Sequence, residues 1–256
     1  MIAALPMYDP PHLQGANDRL WAGIRDALRA GGRAAPEALS RGEDDLWRLW
    51  TAPDLVLAQT CGFPYRARLH GQVTLVGTPD HGVPGCPPGH YCSVLVARAD
   101  DPRPSLADFD GAALAWNEAL SQSGWAAPQA EAARLGITLR AGPQTGAHRA
   151  SIRAVAEGRA DIAAIDAVTW DILAGVEPAR DALRIVARSA PTPGLPLIAA
   201  AGADSAATLS AVAEGIARLA PADRAALRLR GVVVLPAAAY LAVPTPAPPD
   251  RIVQST

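Results

Sequence analysis

A chain of 256 residues can bury one large core or two smaller ones, and a formal charge of −2 gives it no global basic field for a nucleic-acid backbone or an anionic membrane. All 23 basic residues are arginine, which excludes a Walker A loop, a Schiff-base lysine and a kinase-type phosphate lysine. The longest apolar stretch, Gly231 to Val243, is interrupted by Pro236 and falls short of the roughly 20 residues that a membrane span needs.

In chain order, the apolar run Ile2 to Tyr8 predicts a buried strand ended by Asp-Pro-Pro. The spacing Leu20, Ile24, Ala27, Leu28 then predicts an amphipathic helix closed at Gly31-Gly32. A second unit of this kind follows, with helix at Asp45 to Trp50 and an apolar strand at Leu55 to Gln59 that exits into Thr60-Cys61-Gly62. Alternation of this sort argues for helices covering a parallel sheet. Gln72 to Gly77 and Tyr91 to Arg98 predict strands on either side of a loop rich in Pro and Gly. From Ala99 the pattern restarts: strand at Ala112 to Asn117, a polar turn, and an alanine-rich helix running to Gly136. Helix at Ser151 to Glu157 with Gly158 behind it, strand at Asp161 to Asp166, helix at Ala167 to Ala174 and strand at Leu183 to Ala187 complete a second lobe. Leu197 to Ala201 reads as a return strand, followed by helices at Asp204 to Leu219 and Ala222 to Arg228 and a proline-rich coil, PTPAPPDRIVQST. The expected division is residues 1–95 with 190–256 as a discontinuous first lobe, and 96–189 as the second, with a ligand cleft between them.

Two strand-to-helix junctions carry the chemistry. In Asn117-Glu-Ala-Leu-Ser-Gln-Ser-Gly124, the hydroxyls of Ser121 and Ser123 stand beside backbone amides at a helix start, where open N–H groups and the positive dipole end favour an anion. The competing reading is simple capping by Ser123, and Pro128 complicates both because it removes an amide donor and pushes the regular helix start toward Ala127. In Thr145-Gly-Ala-His-Arg-Ala-Ser151, His148 can donate to a ligand oxygen while Thr145 or Ser151 caps the helix. Asp166 is either an N-cap or an acceptor for a ligand amine or hydroxyl. These residues also supply the atoms of a Ser-His-Asp hydrolase, but no G-x-S-x-G elbow accompanies them. Trp116, Trp125 and Trp170 lie nearest the proposed cleft. The three cysteines match no metal spacing; Cys61 and Cys86, both in Gly/Pro turns, can pair in a disulfide and leave Cys92 as the odd thiol.

At these residues the chain resembles the phosphonate-binding branch of the type II periplasmic solute-binding proteins, a group that includes the sulfonate-binding and transferrin-like proteins. The resemblance spans about Leu46 to Ala201. It rests on N-x-x-x-S-x-S-G at Asn117 to Gly124, T-G-x-H-x-A-S at Thr145 to Ser151, and IRAVAEGRADIAAIDAVTW at Ile152 to Trp170. It implies an α/β fold of two lobes, each a mixed, mostly parallel sheet flanked by helices. It also implies an anion site made of Ser121, Gln122, Ser123, Gly124 and His148 with Asn117 and Thr145, Asp166 reading the ligand's distal end, and Tyr8, Thr60 and Tyr91 contributing from the first lobe.

The function so implied is a solute-binding protein that closes two lobes on a small anionic or polar ligand, phosphonate-like or phosphate-like, as the receptor of an ABC-type uptake system. An enzyme of cofactor-precursor biosynthesis or a ligand sensor on the same fold is the alternative, since fold alone does not separate them. The expected partners are that ligand and, by the resemblance, a transporter membrane component, with the chain itself a monomer. No cofactor, metal, nucleic acid or membrane insertion is expected. The resemblance implies a periplasmic location, whereas MIAALPMYDPP has neither a basic n-region nor a cleavage site, which leaves the cytoplasm open.

Overall fold

The computed structural model describes residues 1–43 and 45–249. By its internal contacts the chain divides into two compact units, Met1–His90 with Pro193–Ala242, and Tyr91–Thr192 with residues 243–249. The last six residues of the proline-rich tail, and Asp250, lie outside the described residues. The boundaries differ from the sequence reading: residues 91–95, 190–192 and 243–249, expected in the first lobe, group with the second unit. Within the second unit, Trp125 donates its indole N–H to the Ala247 carbonyl of this segment at 2.9 Å.

In the first unit, Ile2–Ala4, Leu55–Gln59, Leu197–Ala200, Val73–Asp80 and Gly231–Val233 form one sheet in that spatial order. Ile2–Ala4 pairs parallel to Leu55–Gln59, with Ala4 opposite Ala58. The return strand Leu197–Ala200 runs antiparallel to both of its neighbours, with Ile198 facing Ala58 on one side and Leu75 on the other. Against this sheet lies the amphipathic helix Gln14–Ala30, which buries Leu20, Trp21, Ile24 and Leu28. It meets the helix Ser205–Arg218 at Gly23 and Gly215, where a Cβ on Gly215 would come within 2.5 Å of the Ile24 side chain. Only glycine lets the two backbones approach so closely. The apolar run after Gly231 resolves into an edge strand and a short helix, Ala237–Leu241, neither of which the sequence pattern separates.

In the second unit the sheet order is Arg140–Gln144, Ala113–Trp116, Ile162–Asp166, Ser93–Arg98, Leu183–Arg188. The first three run parallel to one another. Ser93–Arg98, which opens the unit, is antiparallel to both of its neighbours, with Leu95 opposite Ala164. Both sheets are therefore mixed, with most strands of each sharing one direction: Ile2–Ala4, Leu55–Gln59 and Val73–Asp80 in the first, and all but Ser93–Arg98 in the second. The fully buried residues of Ile162–Asp166, at the middle of this sheet, explain why that strand reads as an unbroken apolar run. Gly136 and Gly158 end their helices in left-handed conformation, at φ +69° and +73°.

None of the three cysteines is in a disulfide. Cys61 opens the short helix Gly62–Pro64, with its carbonyl accepting from the Tyr65 amide, and the Cys86 amide donates to the Val83 carbonyl. Among the described residues no helix is long and apolar enough to cross a membrane.

Candidate functional site

The turn after Ala113–Trp116 begins with Ser121 in extended conformation, and its Oγ accepts from the Gly124 amide at 2.9 Å. Ser121, rather than Ser123, is thus the cap. The first helical turn, Gln122–Ala126, is a π-turn, and a regular α-helix follows over Ala127–Leu135 with Pro128 in its opening positions. This geometry answers the question that Pro128 raises. With no N–H on Pro128, the Ser123 carbonyl has no helical donor, and the Ser93 hydroxyl donates to it instead at 3.0 Å. Gly124 is required by packing, since a Cβ there would lie 1.9 Å from Asn117 Oδ1 and 3.2 Å from Ser121 Oγ.

The second junction follows the strand Arg140–Gln144. Its helix, His148–Ala156, starts after Ala147, which has no side chain that can cap. Neither expected cap acts as one. The Thr145 hydroxyl lies 3.1 Å from the Trp116 carbonyl, and Ser151 Oγ lies 2.7 Å from Thr145 Oγ1, so the two side chains satisfy each other and the preceding strand. Among the described residues, the amides of His148, Arg149 and Ala150 make no hydrogen bond, nor do those of Gln122 and Ser123 in the other helix.

A side-chain bond joins these two helix starts: His148 Nε2 lies 2.8 Å from Ser123 Oγ. Burial pushes the imidazole down to a pKa of about 4, partly offset by the Ala164 carbonyl beside the ring, so His148 is neutral at neutral pH. Its Nδ1 is buried without a hydrogen bond of normal geometry, as are Asn117 Oδ1 and Gln122 Oε1. A neutral imidazole is donor at one nitrogen and acceptor at the other. With the proton on Nε2, His148 donates to Ser123 Oγ and leaves the Ser123 O–H free to donate onward.

Asp166 ends the strand Ile162–Asp166. It is buried, with Oδ1 accepting from the Val168 and Thr169 amides at 2.7 and 3.0 Å, so it caps the helix Ala167–Ile172. The His148 ring is bonded to the Ser123 hydroxyl, while Oδ1 of Asp166 is engaged by the amides of its own helix.

Of the remaining expected residues, Tyr91 is buried at the start of the second unit. In the first unit Thr60 is fully buried, with Oγ1 making no hydrogen bond. Tyr8 packs edge-on against the His81 ring at 5.0 Å, and its carbonyl accepts from Asn17. His81, which sequence reasoning passed over, lines an apolar cavity of about 40 Å³ and has its pKa lowered to about 4 by burial. Ser93 was missed as well; its only signal is a lone hydroxyl opening the apolar run Ser93 to Arg98. Among the described residues no cluster of metal-ligating side chains occurs.

Two α/β units, each a five-stranded mixed sheet, with open helix starts at the ends of the parallel strands of one of them, define a type II periplasmic-binding-protein fold. Residues 53–235 match the family model described as "ABC transporter, phosphonate, periplasmic substrate-binding protein", and the chain belongs to that family. A search of curated protein sequences gives no match. Among solved structures, XAC2383 from Xanthomonas citri bound to chloride ion is 19% identical with a TM-score of 0.69, covering 93% of this chain and 92% of its own. PhnD1 from Prochlorococcus marinus in complex with methylphosphonate is 15% identical with a TM-score of 0.68, covering 93% and 94%. A binding protein component of an ABC phosphonate transporter from Pseudomonas aeruginosa is 16% identical with a TM-score of 0.64, covering 92% and 81%. At these identities the structural likeness speaks to the fold.

Proposed function

We propose that this chain is the receptor of an ABC uptake system and that it binds a small oxyanion, phosphonate-like or phosphate-like, at the two open helix starts of the second unit. The observation that carries the reading is the Ser123–His148 bond, which ties together two helix N-termini that retain undonated amides. Helix N-termini favour anions through open N–H groups and the aligned peptide dipoles, and neither needs a formal positive charge nearby. That suits a chain without lysine. His148 acts through Ser123 in this reading, holding the hydroxyl so that its proton faces the ligand. Asn117 and Gln122 border the site, Gly124 leaves room for them, and Thr145 fixes the second helix start. Thr60, Tyr8 and Tyr91 remain candidate contacts, and Asp166 caps its own helix. Membership of the family supports delivery to a transporter membrane component and a periplasmic working place.

Calorimetry with methylphosphonate, inorganic phosphate and methanesulfonate tests the reading. The expected result is binding of at least one oxyanion that weakens in both Ser123→Ala and His148→Ala. A bound oxyanion whose affinity is untouched by either substitution places the site elsewhere.

A further inference from the structure

Residues 243–249 read Val-Pro-Thr-Pro-Ala-Pro-Pro, so each is a proline or directly precedes one. Proline holds φ near −65°, and the residue before a proline is driven to extended or polyproline conformations. The segment accordingly carries no helix or strand assignment from Pro244 to Pro249. Its burial has a period of three: Val243, Pro246 and Pro249 are half-buried, while Pro244, Thr245, Ala247 and Pro248 are exposed. Three residues per turn is the repeat of the left-handed polyproline helix, so this pattern is one docked face of such a helix.

The anchor is the Trp125 indole, which is 5% exposed and donates to the Ala247 carbonyl at 2.9 Å. A polyproline helix makes no internal hydrogen bonds, so its carbonyls stay available, and an aromatic surface with a side-chain donor is how such helices are recognised. Trp125 in turn packs edge-on against Trp116 at 5.8 Å, whose indole is fixed on the Gly142 carbonyl at 3.0 Å. Trp125 stands two residues beyond Ser123, inside the π-turn.

We propose that the Trp125 face of the second unit is a polyproline-binding surface and that its occupant is the chain's own segment 243–249. Because residues up to Ala242 belong to the first unit, the chain enters the second unit again at 242/243, and there the segment is bonded to Trp125 of the π-turn. The inference stands on the tail and Trp125 alone and does not depend on which ligand the protein takes.

The test uses a chain ending at Ala242 together with the synthetic peptide VPTPAPP, read at the Trp125 indole N–H by NMR and assigned with Trp125→Phe. Adding the peptide is expected to move that resonance back to its position in the full chain, with saturation in the millimolar range or below. In the full chain, Pro246→Asp combined with Pro249→Asp is expected to speed exchange of the indole proton with solvent about tenfold, the loss of one hydrogen bond and its cover. That second variant keeps the question open to refutation if the shortened chain does not fold. An indole resonance unmoved by millimolar peptide, or exchange unchanged by the tail substitutions, overturns the proposal. Protection that rises with protein concentration overturns it too, since the segment would then come from a second copy.

Discussion

Two helices of the second unit follow parallel strands of one sheet, and their first turns are finished in opposite ways. Ala167–Ile172 begins at Asp166, whose carboxylate takes two of its amides. His148–Ala156 begins at Ala147, which has nothing to offer, and the nearby hydroxyls of Thr145 and Ser151 are turned to each other. A helix start that carries its own carboxylate has no capacity left for an external anion and is repelled by its charge as well. An uncapped start keeps its amides and its dipole for whatever arrives. On the proposed reading, an anion site in this unit is marked by helix starts that no carboxylate occupies, not by the acidic residue that sequence patterns make conspicuous.

The sharpest way to break the comparison is to convert one helix start into the other. Ala147→Asp supplies the cap and is expected to cost a hundredfold or more in oxyanion affinity, about 2.7 kcal/mol, while stability holds or rises by about 0.5–1 kcal/mol. Calorimetry paired with urea unfolding separates the two effects, and retained affinity would mean that the open amides are irrelevant. Next in size, Ser123→Ala and His148→Ala each remove part of a relay worth about 1.5–3 kcal/mol, giving a tenfold to hundredfold loss with the fold preserved on circular dichroism. The double variant should lose little more than the worse single one, because both act through one hydroxyl.

Acid sharpens the comparison at the level of the histidines. His148 and His81 are neutral in the folded chain with pKa near 4, against about 6.5 when unfolded. The unfolded chain therefore binds more protons between those limits. Stability is full above pH 6.5 and falls as pH drops toward 4, by at most about 1.4 kcal/mol per pH unit for each ring. His148→Gln should flatten the acid limb of a urea-unfolding series, and an unchanged limb would deny the ring its buried, neutral state. Asp166→Ala is expected to have the smallest effect on binding: stability falls by about 1–2 kcal/mol through the lost cap, and oxyanion affinity stays within threefold. With methanesulfonate, whose charge is fixed, affinity should also be level from pH 6 to 8, because His148 does not titrate there.

Much of the fold was legible because buried strands and amphipathic helices leave periodic marks. Leu55 to Gln59 and Asp161 to Asp166 read as strands from their apolar runs, and Gly136 and Gly158 announced the helix ends that their positive φ angles now occupy. The run from Gly231 to Val243 hid a strand and a helix because its apolar pattern is continuous and Pro236 is its one break. At the site, residue types were legible and partners were not. A hydroxyl near a helix start looks the same whether it caps, as Ser121 does, or bonds a histidine, as Ser123 does. Ser93 escaped notice because its role, replacing the donor that Pro128 lacks, depends on a strand some 30 residues away in sequence.

The most direct measurement is an amide NMR titration of the full chain with methylphosphonate. The account predicts that the largest shifts fall on the backbone N–H groups of Gln122, Ser123, His148, Arg149 and Ala150, while those of Val168 and Thr169, already held by Asp166, scarcely move. Largest shifts at Val168 and Thr169, with the first five unmoved, would contradict it.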